Sequence, residues 1–302
     1  PSLVGSEMCI RDSINSFSYS QSTDYKVRRI SSILSEYGFN VDINDNISLL
    51  SIFNEGSPAL ELKDKYEFAF FLDKDKYLSS MLETYFPIIN SSESIESADD
   101  KMLTYLKIMN NGIKTPLTIS APLNYNNDYS QEKALKFLKK VENKISFPII
   151  VKKVYGSLGK QVYLAKNHDE LLSLYKQLAY IPHIYQEYIG YEYGTDYRLF
   201  TIGHKVVAAM KRTNNNDFRS NIALGGKGTN FNPPQSFIDM AEKASKILDL
   251  DYAGVDLIKG KNGEPIFNEI NSNAFFTEIE KASGIDITRQ LILYVLKKFK
   301  LL

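Results

Sequence analysis

The sequence predicts an α/β (α+β) chain in which a small parallel-sheet unit precedes two units built on antiparallel strand pairs. Three observations carry this. Up to about residue 103, short apolar runs alternate with segments of helical period, the pattern of parallel strands joined by helices. Beyond that point strands meet across short turns, at Gly156–Gly159, Gly203-His204 and Asn262-Gly263. The length, 302 residues, suits two domains or three small ones. The divisions expected are 14–103, 104–189 and 190–302.

Composition narrows the function classes. Lysines and arginines number 36, as do aspartates and glutamates, so nothing in the overall charge calls for nucleic acid. No apolar run approaches the ~20 residues of a membrane span, and no basic-then-apolar leader is visible. A cytoplasmic protein with no membrane partner is expected. Cys9 is the single cysteine. It rules out a disulfide within the chain and fits a reducing compartment. Residues 1–13 show no sustained periodicity and no initial methionine. They read as a non-native scar, outside the fold.

The elements follow in order. Residues 14–19 read as the remnant of a first strand. Over 25–37, Val27, Ile30, Ile33, Leu34 and Tyr37 recur at helical spacing, and Gly38 supplies the stop. Residues 40–43 and 68–72 are strands, 73–85 a helix, 88–89 a short strand and 91–100 a polar connection. A helix over 100–111 is closed by Gly112, and Pro116 prevents its extension. Helix 130–143, strand 147–155, strand 161–165, helix 168–179 capped by Asn167, and strand 184–189 make the second unit. The third has strands 196–202 and 205–212, a loop rich in Asn and Gly over 213–234, helix 236–248, a hairpin over 253–273 and helix 286–300.

The hairpin is the most informative stretch. Asn262-Gly263 signals a type I′ turn, which needs φ > 0 at both central residues. Centred there, the ladder pairs Lys261 with Glu264, Gly260 with Pro265 and Asp256 with Glu269. Pro265 then falls where no N–H is needed. Two facing carboxylates repel unless something neutralises them, and Glu269 and Asn271, two apart, share a face. Gly254 lies opposite Asn271 and leaves room there. Asp256, Glu269 and Asn271 offer the oxygen ligands that a hard divalent cation takes. The alternative is an exposed hairpin with two solvated acids.

Other segments add chemistry. The loop Gly156-Ser157-Leu158-Gly159-Lys160 can lay backbone N–H groups over phosphates, or be a plain turn; it lacks P-loop spacing. Lys152, inside an otherwise apolar strand, calls for an anion, unless it snorkels at the strand end. Gln186-Glu187-Tyr188-Ile189 ends a strand before glycines and can offer backbone groups and an acid to a nucleotide. Arg219 sits in a loop longer than about 12–15 residues, a length that is usually functional or disordered. It can clamp phosphate or oxyanion charge, with Lys211 and Arg212 adding positive charge nearby, or belong to a solvated basic loop. His168, His183 and His204 have no metal-ligand spacing.

Taken in order, these pieces resemble the ATP-grasp carboxylate–amine ligases, and within them the RimK-type branch of ribosomal-protein glutamate ligases and their relatives. The resemblance runs from about Asp99 onward. It rests on Asp217-Phe218-Arg219-Ser220-Asn221 with Gly225-Gly226, on Ala253-Gly254-Val255-Asp256 with Glu269-Ile270-Asn271, and on Glu280-Lys281-Ala282-Ser283-Gly284-Ile285-Asp286. It implies an ATP-grasp fold behind an N-terminal parallel-sheet (pre-ATP-grasp) domain, with ATP between the second and third units. Lys101 and Lys152 match the phosphate-binding lysines, and the loop with Gly156, Ser157 and Gly159 would close over the phosphates. Glu187, Tyr188 and Ile189, next to Gln186, match the segment holding adenine and ribose, with Asp196 nearby. Arg219, Ser220 and Asn221 match a nucleotide- and intermediate-binding triplet. Asp256, Glu269 and Asn271 match the ligands of Mg²⁺, with Mn²⁺ as an alternative. Arg212 is expected at the substrate.

The implied reaction is ATP-dependent joining of a carboxylate to an amine through an acyl phosphate, with Lys152 and Arg219 as catalytic groups. The partners expected are an amino acid such as glutamate and an acceptor carboxylate on a small molecule, peptide or protein tail; a homo-oligomer is compatible. Where many relatives have Ala-Ser-Pro-Gly after the metal-binding Asn, this chain has Ser272-Asn273-Ala274-Phe275. The ribosomal-protein substrate is therefore not carried over. The rival readings are a peptide-tailoring ligase or macrocyclase, and a nucleotide-binding regulatory protein without activity.

Overall fold

The computed structural model describes residues 9–14, 20–49, 52–54, 57–59, 66–125 and 130–302. The first unit runs β1 (Cys9–Ile14), α1 (Gln21–Glu36), β2 (Asn40–Asp45), a small hairpin of β3 (Ile52–Asn54) and β4 (Ser57–Ala59), β5 (Tyr66–Leu72), α2 (Lys76–Glu83), β6 (Ile88–Ile89) and α3 (Ser92–Asp99). Its main sheet has the order β2-β1-β5-β6, parallel throughout. β5 is buried on both faces: Phe68, Phe70 and Leu72 pack towards α1, while Ala69 and Phe71 pack towards α2 and α3. Such double burial is what helices on both sides of a parallel sheet impose.

Two expectations need correction here. β1 lies within the stretch set aside as a scar, yet Cys9–Ile14 pairs with β2 on one side and β5 on the other. Residues 9–13 therefore belong to the sheet. Of the strand expected over 14–19, Ile14 is the last residue of β1, and residues 15–19 lie outside the described residues. The polar connection expected over 91–100 is the helix α3. Ser91 caps it by accepting from the Ser94 N–H, and its buried face mixes Ile95 and Ala98 with Ser94 and Ser97, too polar for a periodicity reading.

The second unit has α4 (Lys101–Ile108), β7 (Thr118–Ser120), α5 (Gln131–Glu142), β8 (Ile149–Lys153), β9 (Val162–Ala165), α6 (His168–Leu178) and β10 (His183–Glu187). Its antiparallel sheet has the order β7-β10-β8-β9. The third unit has β11 (Thr195–Ile202), β12 (Lys205–Thr213), β13 (Lys227–Asn230), α7 (Gln235–Ile247), β14 (Tyr252–Lys259), β15 (Pro265–Asn271), α8 (Thr277–Ser283) and α9 (Ile287–Lys298), with sheet order β13-β12-β11-β14-β15. The loop expected over 213–234 thus carries a strand as well as a 3₁₀ turn at Ile222–Leu224. One face of this sheet packs on α7. The other shares a core with α1, α8, α9 and β5, so the first and third units are joined by apolar packing.

The β14–β15 hairpin keeps the expected pairs Asp256 with Glu269 and Gly254 with Asn271, but not the register at its tip. There Lys259 pairs with Pro265, and the Gly260 N–H donates to the Glu264 carbonyl at 2.8 Å. The loop has three residues, with Gly263 at φ +82°, so a type I turn followed by a left-handed glycine replaces the type I′ turn. The one-residue difference is absorbed by a bulge between Asp256 and Leu257, which leaves Asn268 as the extra residue on β15.

Candidate active site

Two concavities meet at this hairpin. The larger, enclosing ≈ 750 Å³, lies between the second and third units and is lined by Lys152, Gly159, Gln186, Glu187, Tyr188, Ile189, Asp196, Arg219, Ser220, Asn221 and Glu269, among others. The smaller, ≈ 300 Å³, is lined by Lys101, Gly156, Glu269 and Asn271 together with Lys74 of the first unit. Asn268 and Glu269 are the only residues common to both. They form the ridge between the two spaces.

The bulge explains that ridge. Regular alternation would turn Asn268 away from Glu269. The extra residue lets both reach the cleft, and the Asn268 Oδ1 accepts from Lys152 Nζ at 2.8 Å. The Asn268 carbonyl accepts from the Tyr105 hydroxyl at 2.9 Å, and that hydroxyl accepts from Gln186 Nε2 at 2.7 Å. Gln186 also donates to Thr118 Oγ1 at 2.8 Å. The side-chain amide of Gln186, a residue expected at the nucleotide, is thus engaged within the wall of the cleft. Burial pulls the Lys152 ammonium down to about 8, with the Glu269 charge opposing the shift. Lys101, at the first turn of α4, is lowered for the same reason and donates to the carbonyls of Val154, at 3.3 Å, and Gly156, at 3.1 Å.

The glycine loop between β8 and β9 rests on the segment after β12. Gly159 has φ +73°, and a Cβ there would fall 2.4 Å from Asn221 Oδ1, so only glycine fits. Arg219 fastens the two segments. Its Nε and Nη2 donate to Asp217, at 3.0 and 2.7 Å, while Nη1 donates to the Gly159 and Val162 carbonyls, at 2.9 and 3.3 Å. Tyr188 meets Phe218 edge-on at 6.4 Å.

Asp256 departs from the expected ligand set. Cross-strand pairing sets Asp196 against Arg212 and Arg198 against Asp256. The result is a buried chain of four charges. Asp256 accepts from Arg198 Nε and Nη2, both at 2.7 Å, and lies 2.8 Å from Arg212 Nη2. Arg212 in turn donates to Asp196 at 2.6 and 2.5 Å. Burial pushes the Asp256 carboxyl up, but the two arginines prevail and hold it at about 2. Asp256 is 0% exposed, and three of its roughly four lone-pair sites are taken. Arg212, expected at the substrate, is 2% exposed and spans two carboxylates.

Among the described residues, no group of three or more His, Cys, Asp or Glu is placed to hold a metal. Glu269 and Asn271 do remain at the cleft, with Asn271 Nδ2 donating to Glu269 Oε1 at 3.2 Å, which leaves the Asn271 Oδ1 available. One carboxylate and one amide oxygen fit Mg²⁺, which is usually bound by one or two carboxylates plus substrate phosphates. Lys152, buried, and Lys101, half-buried, fit those phosphates.

Sequence reasoning missed Asn268, Tyr105, Arg198, Glu192 and Lys74. Arg198 had a readable signal, since it lies two residues from Asp196 and shares its face. Glu192 lines the larger cleft from a glycine-flanked turn, where its carboxylate is 3.1 Å from Lys259.

Comparisons with known proteins place the chain among ATP-grasp ligases. A family model, the RimK-like ATP-grasp domain, matches residues 98–295. A protein named probable alpha-L-glutamate ligase from Histophilus somni is 35% identical over 215 residues, 70% of this chain and 68% of that one. MG012 of Mycoplasma genitalium is 33% identical over 227 residues, 74% and 78% of the two chains. The ATP-grasp ligase PsnB, solved with minimal precursor, Mg and ADP, superposes with TM-score 0.67 at 15% identity over 96% of this chain and 98% of its own. No helix among the described residues is long and apolar enough to cross a membrane.

Proposed function

This chain belongs to the RimK-like ATP-grasp family, and on that premise we propose that it joins a carboxylate to an amine with consumption of ATP, releasing ADP and phosphate. The amine proposed is that of an amino acid such as glutamate, in keeping with the name of the Histophilus somni relative. The acceptor is a carboxylate on a small molecule, peptide or protein tail. One observation supports this most directly. A buried lysine, Lys152, and a half-buried one, Lys101, come from different elements and flank a ridge whose Glu269 and Asn271 offer oxygen ligands.

The acceptor carboxylate attacks the γ-phosphorus, the bond to the β-phosphate oxygen breaks, and ADP leaves an acyl phosphate. The amine lone pair attacks the acyl carbon, the tetrahedral species expels phosphate, and the amine proton passes to solvent. Lys152 and Lys101 orient the phosphates and offset their charge. Arg219 holds the glycine loop over the cleft, and its charge favours the oxyanion. Glu269 and Asn271 would hold Mg²⁺, which when bound neutralises phosphate charge. No side-chain nucleophile is needed, because positioning and electrostatics supply the acceleration.

The test is Glu269→Gln. ADP release that depends on both an acid and an amine should fall roughly a hundredfold or more, with the melting temperature maintained. Full turnover of this variant at ordinary Mg²⁺ rejects the reading.

A further inference from the structure

Beyond the ridge, the smaller cavity holds a cation that the phosphate-binding lysines do not account for. Lys74 lies two residues past the carboxyl end of β5, an interior strand of the parallel sheet, and ligands of open parallel sheets gather at those ends. Its ammonium meets Asp99 at 2.5 Å, and it lines the same space as Lys101, Glu269 and Asn271. The Lys101 ammonium is lowered by burial, with the Glu269 charge opposing the shift and the nearby Lys74 charge adding to it. Two cations converging on one small space disfavour each other and favour an anion between them.

We propose that Lys74 binds the carboxylate of the acceptor, opposite Glu269 and Asn271. The assignment rests on the ligase reading above. A nucleotide in the larger cleft would end its phosphate chain near the Glu269 ridge. An attacking carboxylate must then approach from the far side, where the smaller cavity opens. The gap there is narrow, with room for about one water-sized group, so only the carboxylate tip of an acceptor would reach between the lysines, not a folded surface. The bland role for Lys74 is a strap between the β5–α2 connection and α3. That strap is redundant, since Lys76 already pairs with Glu96 at 3.0 Å and α2 and α3 share an apolar core.

The experiment uses the full chain with ADP and Mg²⁺ and three acids: acetate, glutarate and a short peptide ending in glutamate. Acid binding is followed by calorimetry, and Lys74 exposure by acetic anhydride labelling read by mass spectrometry. At least one acid should slow Lys74 labelling. Lys74→Met should weaken that acid about ten- to a hundredfold, the value of a hydrogen bond to a charged group, while ADP affinity is unchanged. Lys74→Arg, which keeps the charge, should restore part of the binding, and Asp99→Asn, which removes only the strap, should retain it. Equal losses in Lys74→Met and Asp99→Asn would make Lys74 a strap and overturn the proposal. Protection by a non-hydrolysable ATP analogue without acid would assign Lys74 to the nucleotide instead. Unaltered labelling with every acid, in a protein that binds ADP, also overturns it. Failure to bind ADP at all removes the ligase reading, and the proposal with it.

Discussion

Two sets of buried charges flank Glu269, and they differ in how completely they are paired. The chain Arg198–Asp256–Arg212–Asp196 alternates sign, and its two guanidinium groups each meet a carboxylate with two N–H donors. Lys152 is buried and Lys101 half-buried, yet neither makes a salt bridge among the described residues. Lys152 has the Asn268 amide oxygen, and Lys101 two backbone carbonyls. The titration directions follow: Asp256 is held at about 2 by its arginines, while burial takes Lys152 down to about 8. The paired chain is completed by the fold. On the proposed reading, the lysines are completed by the phosphates of the nucleotide.

Breaking the first set should give the largest effect. Asp256→Ala leaves Arg198 without its carboxylate and the buried Arg212 with Asp196 alone, and removing one partner of a buried pair costs about 3–5 kcal/mol. Urea unfolding should show that loss. Lys152→Met should do the opposite. It removes a desolvated cation from an apolar strand, so unfolding stability should hold or rise. ADP affinity should fall about ten- to a hundredfold, the value of a hydrogen bond to a charged group. Comparable destabilisation by the two variants would erase the distinction. Gly159→Ala comes next. It forces a left-handed conformation on a residue with a Cβ, at about 1–2 kcal/mol, and pushes against Asn221 as well. Nucleotide binding should weaken by a similar amount while β8 and β9, read by amide exchange, stay protected.

Local chemistry made much of this legible. Apolar periodicity gave α1, an apolar run gave the strand of β5, and the Asn262-Gly263 turn with the facing acids gave the pairing of Asp256 with Glu269. What escaped depends on distant partners or on an irregular backbone. The bulge at Asn268 carries no local signature, so nothing in the sequence singled that residue out, and the Asn262-Gly263 signal gave a type I′ turn where the three-residue loop forms instead. Asp256 looked like a free ligand because Arg198 and Arg212, 58 and 44 positions earlier in the sequence, reach it only through the order of three strands. α3 was invisible because its inward face is half serine. Gln186 lies at the expected strand end, but its partners Tyr105 and Thr118 come from elements whose approach no sequence spacing encodes.

The smallest predicted effect separates the two sets by their protons. An ordinary lysine titrates near 10.4, and Lys152 in the folded chain at about 8. Between these values the unfolded chain binds more protons, so stability rises with pH across that window. Nucleotide binding has the opposite dependence, because phosphate favours the ammonium. Near pH 8 about half the molecules carry neutral Lys152, and binding ADP should take up about half a proton; near pH 6 it should take up almost none. Calorimetric titrations in two buffers of different ionisation enthalpy measure this uptake directly. Asp256, at about 2, contributes nothing in that range. Lys152→Arg should abolish the Lys152 share, since a guanidinium stays charged throughout, and any uptake left belongs to Lys101, which is lowered in the same direction. Uptake unchanged in both Lys152→Arg and Lys101→Arg would mean that the proton enters elsewhere, and that these lysines are no more dependent on an anion than the arginines beside them.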